Sequence, residues 1–278
     1  EMIDLKKDKS SSAVNGYNNL LKAMKRFCKD KGYNIKMDVN RVNIEFVDKW
    51  RLWLTTENAY KSSTSRKYFG LLGTTLKQAK KYGRLYNNPY DGDVEYPKDD
   101  DTERVYLTPD EVFALQNTPT KYDVMKNAFL FMCYTGIRQG DCTKLTWGDL
   151  PVNGDGDITI NVRTQKAKTK IFFKIRKGAR KFLPERKGDA DLIFPIKFDN
   201  PVNKNLRYWA LEAGIKEKHI TAHTARHTFA YFMLSENNTS LYIVSKLLGH
   251  KKVSTTEDNY GHLSNENIED AMQMAFGE

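Results

Sequence analysis

All five histidines of this 278-residue chain, His219, His223, His227, His250 and His262, fall in one late stretch that also holds Arg226 and Tyr260. Histidine changes charge nearest neutral pH, so crowding every copy into one segment suggests proton-transfer chemistry. His223 and Arg226 are three apart, neighbours on a helix face. Arg138 follows a glycine turn in Thr135-Gly136-Ile137-Arg138-Gln139-Gly140-Asp141. Lys166 and Lys168 stand in a basic turn, and Leu248-Gly249-His250 is followed ten residues later by Tyr260. Singly, each has an ordinary explanation: a surface arginine, a salt-bridging helix face, a packed tyrosine. His223 and His227 have the spacing of a metal-ligand pair, but no glutamate or cysteine completes a set, so no metal site is expected.

The elements around these residues read as mainly helical with one small β-sheet. Val14, Tyr17, Leu21, Met24 and Cys28 recur at helical spacing, predicting a helix over 11–31. Val47, Trp50 and Leu54 predict a second over 43–57. A third starts at Ser62 or Ser63 and carries Tyr68, Leu71, Leu72, Thr75, Leu76 and Ala79 until the turn at Asn88-Pro89. After a charged linker over 98–106, Thr108-Pro109-Asp110-Glu111 forms a helix start. Helices are then expected over 109–116, 121–134, 138–145, 177–184, 203–213, 223–236, 240–248 and 264–275. A hairpin interrupts them, with Ile158, Ile160 and Val162 alternating on one strand and Ile171, Phe173 and Ile175 on the other. The expected organisation is a helical domain over 1–97 and a mixed α/β domain over 107–278.

With 45 Lys and Arg against 35 Asp and Glu, the net charge of +10 favours a polyanionic partner such as nucleic acid or an anionic membrane surface, the ordinary alternative being a soluble basic protein. Residues 1–97 hold 19 of the bases against 11 acids, so the surplus concentrates there. Lys22, Lys25 and Arg26, then Arg66, Lys77, Lys80 and Lys81, are candidates for tracking DNA phosphates, although a solvated face is the ordinary reading of such residues. The longest apolar run, Ala128 to Tyr134, is too short to span a bilayer, and the opening residues carry no secretory pattern. Cys28, Cys133 and Cys142 lack ligand-like spacing and read as reduced core thiols of a cytoplasmic protein. The chain opens on Glu1 rather than Met, so a further N-terminal domain is left open.

In their joint order, arginine, hairpin lysine, His-x-x-Arg, Leu-Gly-His and tyrosine, these motifs resemble the tyrosine recombinase, or phage-type integrase, family over essentially the whole chain. Arg-His-Thr-Phe-Ala at 226–230 and Ser254-Thr255-Thr256 strengthen the likeness. The resemblance implies that 1–97 binds the core DNA site and 107–278 is catalytic. It implies Tyr260 as nucleophile, forming a 3′-phosphotyrosyl bond and freeing a 5′-hydroxyl. Arg138 and Arg226 would hold the scissile phosphate, His250 would hydrogen-bond it, His223 would assist proton transfer at the tyrosine, and Asp141 would brace the site. Elementary chemistry agrees about the arginines, since planar guanidinium groups pair with phosphate and stay charged as the transition state forms. For the general acid, counting back from the second strand favours Lys166, while Lys168-Thr169 also resembles the family's Lys-Thr pair. Gly140 replaces a usual small polar residue, and the His250–Tyr260 interval, filled by Glu257-Asp258-Asn259 in what reads as a longer loop, exceeds the common spacing by one.

No cofactor is expected, because the sequence lacks a P-loop, a dinucleotide fingerprint and a carboxylate cluster spaced for magnesium. The implied partner is duplex DNA bearing specific recombination sites, bound by a homo-tetramer that exchanges a C-terminal helix carrying Ile268, Ala271, Met272 and Ala275, with room for accessory DNA-bending proteins. The competing readings are a type IB topoisomerase-like DNA-relaxing enzyme and a catalytically inactive DNA-binding relative.

Overall fold

The computed structural model describes residues 11–58, 60–98 and 104–265. They form two units, Glu1–Thr102 and Glu103–Glu278, divided inside the charged stretch 98–106. Helices dominate both, and the one regular sheet among the described residues is a two-stranded hairpin.

The first unit is built on α1 (Ser11–Asp30), α2 (Ile44–Leu52) and α3 (Ser62–Lys81). Asn43 caps α2 by accepting from the Phe46 amide, which sets the start expected at 43. The helix then widens over Trp53–Glu57 into a π-turn closed by the Asn58 amide on the Trp53 carbonyl. Phe27, Phe46, Trp50 and Trp53 form the aromatic centre, with Trp50 stacked on Trp53 at 5.4 Å and Phe46 edge-on to Phe27 at 5.2 Å. This centre turns the buried face of α1 to Leu20, Ala23, Phe27 and Cys28, and leaves Leu21, expected inside, 42% exposed.

The basic candidates of this unit differ in what they do. Lys22, Lys25, Lys77 and Lys81 are exposed. Arg26 is engaged by Asn58 Oδ1 and Tyr60 Oη, Arg66 donates to the Pro97 carbonyl, and Lys80 pairs with Asp91. These three tie helices to neighbouring turns.

The second unit begins with α4 (Pro109–Asn117), whose Thr108 and Glu111 make a reciprocal capping box. Its central element, α5 (Asp123–Thr135), is buried from Ala128 to Cys133 and packs along α9 (Ala222–Tyr231). Between them come α6 (Gln139–Cys142), the strands β1 (Thr159–Arg163) and β2 (Lys170–Lys174), α7 (Lys177–Arg180) and α8 (Asn200–Glu212). The strands pair antiparallel with Ile160 opposite Phe173, as the alternation predicted. After α9 a second π-turn, Phe232–Glu236, leads to α10 (Leu241–Leu247) and α11 (Ser254–Asn265).

Three expectations need correction. The helix expected over 138–145 ends at Cys142, because Leu145 and Thr146 leave it to bond Ile193 and Leu192. The one expected over 177–184 stops at Arg180, ahead of Pro184, which disfavours helical backbone before it. The stretch before Tyr260, expected as a loop, is helix α11, with Thr256, Tyr260 and Leu263 on its buried face. The expected terminal helix lies, beyond Asn265, outside the described residues. No helix among the described residues is long and apolar enough to cross a membrane.

Candidate active site

Four local structures aim side chains at one point. The first is the end of α5, where Gly136 takes a left-handed conformation (φ 66°). A Cβ there would lie 2.4 Å from Phe229 Cδ1, so only glycine lets α5 and α9 approach this closely. The turn makes Arg138 the N-cap of α6. The second is α9, opened by a Thr221–Thr224 capping box, which stacks His223, Arg226 and His227 on one face while Ala225, Phe229 and Ala230 enter the core.

The hairpin tip is the third. The Thr164 and Thr169 hydroxyls bond at 2.9 Å, the Lys168 amide closes on the Thr164 carbonyl at 3.0 Å, and Lys168 itself sits at φ 56°. Asp141 ties this tip to α6 by accepting from the Gln165 amide at 2.9 Å. The fourth is the bend after α10, where left-handed Gly249 (φ 64°) passes its carbonyl to Thr169 Oγ1 at 2.8 Å and turns the chain to His250. Helix α11 then delivers Tyr260.

These pieces enclose a cavity of about 370 Å³ whose lining includes Arg138, Lys166, His223, Arg226, His250 and Tyr260. Lys168 is not part of the lining. His227 and Lys251, which the sequence reading left without a role, are. No group of three or more His, Cys, Asp or Glu able to hold a metal occurs among the described residues, and His223 meets His227 ring edge to ring face at 4.7 Å.

Arg226 is 3% exposed and is held by carbonyls rather than carboxylates. Its Nη1 donates to the Gly136 carbonyl at 2.8 Å and its Nη2 to the Leu248 carbonyl at 2.7 Å. The same Nη2 meets His250 Nε2 at 2.9 Å, and His250 Nδ1 meets Thr256 Oγ1 at 2.8 Å. Since guanidinium only donates, His250 accepts at Nε2 and donates from Nδ1, so both ring nitrogens are used within the protein. Burial, reinforced by Arg138, lowers Arg226 to about 9. Arg138 is lowered by burial as well, and its buried Nη1 has no hydrogen-bond partner among the described residues. Two guanidinium groups thus face one cavity without a carboxylate in ion-pair contact among the described residues.

Tyr260 is 3% exposed, and its hydroxyl meets His227 Nδ1 at 2.6 Å. The hydroxyl's partner is therefore His227, not the expected His223. Burial pushes the phenol up to about 12, against the pull of Arg226, Arg104 and Arg138. Burial pushes His227 down to about 3 and His250 down to about 4, in both cases with help from neighbouring arginines. His223 stands exposed at the rim, yet loss of water lowers it too, with Arg226, Arg104, Arg138 and Lys166 adding to the effect. Arg104, from the charged stretch before α4, therefore contributes positive potential that composition alone did not assign to the site. In the sequence His223 is marked by its spacing of three from Arg226. The signal for His227 was its place one residue past Arg226, where the same face reaches α11.

Residues 105–267 match the phage integrase family and residues 1–97 the phage integrase SAM-like domain. A tyrosine recombinase XerC of Oceanobacillus iheyensis is 25% identical over 98% of this chain and 92% of its own length. A XerD of Listeria innocua is 30% identical over 65% of this chain, and the match spans 65% of that relative's length. Among solved structures, a lambda integrase dimer bound to a COC′ core site superposes with a TM-score of 0.72 at 18% identity, covering 94% of this chain and 93% of that one. The Tn1549 transposon integrase in complex with a circular intermediate DNA gives 0.70 at 16% identity, covering 97% and 96%. These structural likenesses establish the fold, and the domain matches establish the family: the chain belongs to the phage integrase family of tyrosine recombinases.

Proposed function

We propose that the protein is a site-specific DNA recombinase, an integrase of a mobile element, that cleaves and rejoins duplex DNA through a 3′-phosphotyrosyl intermediate. The observation that carries this reading is the convergence of Tyr260, Arg138 and Arg226 on one cavity, with a buried Arg138 nitrogen left unpartnered among the described residues. Unpaired guanidinium groups at reduced dielectric seek an anion, and a phosphodiester supplies the two non-bridging oxygens they fit. Arg138 and Arg226 hold the phosphate while Tyr260 Oη attacks phosphorus. Lys166, on the lining, protonates the departing 5′-oxygen; Lys168 is not on that lining. His250, with both nitrogens engaged, fixes the Arg226 fork instead of reaching the phosphate itself. Asp141 holds the lysine-bearing tip against α6.

The covalent link conserves the energy of the cleaved bond, so rejoining needs neither ATP nor a metal. Residues 1–97 grip the core site and 107–278 perform catalysis. A lambda integrase tetramer bound to a Holliday junction shares the fold with a TM-score of 0.70, which supports a tetramer on DNA as the working assembly. The recombinase relatives support this reading over a DNA-relaxing enzyme, and the meeting of Tyr260, Arg138 and Arg226 on one cavity supports it over an inactive relative.

The test uses a nicked duplex selected by this protein from a random-sequence pool. The unmodified protein is expected to yield a denaturation-resistant DNA adduct and Tyr260→Phe none. Lys166→Ala is expected to lose cleavage while Lys168→Ala keeps it, and chelator is expected to leave it intact. An adduct that survives Tyr260→Phe contradicts the nucleophile assignment.

A further inference from the structure

We propose that His227 is the base that takes the hydroxyl proton from Tyr260 during strand cleavage and returns it during rejoining. The inference rests on the recombinase reading above and assigns a step to a residue that reading leaves without one.

Geometry selects His227 from the three histidines on the cavity. His227 Nδ1 lies 2.6 Å from Tyr260 Oη, and the two rings meet edge to face with centroids 5.6 Å apart. Both side chains are buried. His250 has no free nitrogen to offer, because Arg226 donates to its Nε2 and Nδ1–H is directed at Thr256. His223, one turn earlier on α9, touches the His227 ring and makes no hydrogen bond to Tyr260 among the described residues. Of the three, only His227 is hydrogen-bonded to the nucleophile among the described residues.

The direction of that bond follows from the phenol. Its oxygen has no other hydrogen-bond partner among the described residues, so an Nδ1–H donor would strand a buried O–H with nowhere to point. The arrangement that satisfies both groups has Oη–H donating to an unprotonated Nδ1, with the ring proton on Nε2. Burial keeps this imidazole neutral across the physiological range, so the acceptor lone pair is present when DNA arrives. The phenol keeps its proton as well, since burial pushes it up to about 12. Transfer ahead of attack is strongly uphill; it becomes favourable as the Oη electron pair moves toward phosphorus and the bound phosphate adds negative charge beside the imidazole.

The Oη–P bond forms from an Oη electron pair, and the Oη–H proton passes to His227 Nδ1. The P–O5′ bond breaks, its electron pair leaves on the 5′-oxygen, and that oxygen takes a proton from Lys166. In rejoining, the 5′-hydroxyl attacks, Lys166 regains its proton, and His227 returns its own to the released phenolate oxygen.

The test is single-turnover cleavage of the nicked duplex by His227→Asn, which retains an acceptor but binds no proton, and by His227→Phe, which fills the volume. Both are expected to bind DNA like the unmodified protein and to cleave about 100-fold more slowly or worse, the range of general base catalysis. Added imidazole is expected to restore part of the rate in His227→Gly, which a purely packing role does not allow. A substrate with sulfur in place of the bridging 5′-oxygen, whose leaving group needs no acid, is expected to rescue Lys166→Ala and not His227→Asn. Independently of any variant's folding, the ring nitrogen NMR shifts of the unmodified protein should show His227 protonated at Nε2 only. A proton on Nδ1, or His227→Asn cleaving within about threefold of the unmodified rate, overturns the inference while leaving the recombinase reading in place. Absence of any Tyr260-linked adduct from the unmodified protein overturns both.

Discussion

Arg226 is a buried cation with no carboxylate in ion-pair contact among the described residues, although the charge of Asp141 favours its protonated form, and that is the site's central chemical fact at the scale of single residues. Its two carbonyl partners and His250 orient the fork but supply no compensating charge. Lysine, a point donor, cannot span the same carbonyls and still face the cavity. Arg226→Lys should therefore slow covalent cleavage by about 10²–10³-fold in the single-turnover assay, while a gel shift still shows DNA bound; near-normal cleavage would count against the phosphate clamp. The buried histidines predict a second behaviour. The unfolded chain protonates His227 at its ordinary value of 6.5, whereas the folded chain resists until about 3, so the unfolded state binds the extra proton as pH falls. Stability should accordingly drop through that window, by up to about 1.4 kcal/mol per pH unit from this residue. Thermal unfolding of His227→Phe should show a flatter acid limb than the unmodified protein; an unchanged limb removes His227 as its source.

At the scale of elements, Gly136 decides whether the arginine turn and α9 can meet. Gly136→Ala forces a side chain into left-handed backbone, costing about 1–2 kcal/mol, and drives its Cβ into the Phe229 ring. Unfolding at a clearly lower temperature, with cleavage lost in step, is the expected outcome, and a variant as stable as the unmodified protein would show that the contact is dispensable. The glycine was readable in the sequence as a turn before Arg138, and so were the hairpin and the approximate spans of α1 to α5, though not the buried face of α1. Helix α11 was not. Glu257-Asp258-Asn259 looks like loop, and the face that buries the helix consists of Thr256, Tyr260 and Leu263, of which only one is aliphatic. The deciding interaction, Thr256 against His250, joins the helix to the preceding bend and has no periodic signature. Likewise, the resemblance to the tyrosine recombinase family grouped six site residues, but nothing in the sequence told that His250 would turn inward to Arg226 or that His227, not His223, would reach the phenol. Those choices depend on how α9, α10 and α11 pack.

For the molecule as a whole, the excess of positive charge in residues 1–97 is a statement about partners, and the structure divides it by use. Lys77 and Lys81 project from α3 into solvent, whereas Arg26 is occupied by Asn58 and Tyr60. Lys77→Ala and Lys81→Ala should weaken DNA binding similarly on all sequences and each lower the slope of log affinity against log salt by about 1. Arg26→Ala should instead lower the unfolding temperature with little change in that slope. The reverse pattern would mean that α1, not α3, tracks the backbone. The proposed chemistry turns on one covalent bond, between Tyr260 and DNA at the phosphate held by Arg138 and Arg226. The most direct measurement is mass spectrometry of the protease-digested adduct together with end-labelling of the released strand. The expected result is a 3′-phosphorylated nucleotide on the peptide containing Tyr260 and a free 5′-hydroxyl on the partner strand; attachment through another residue, or a 5′-phosphoryl link, would contradict it.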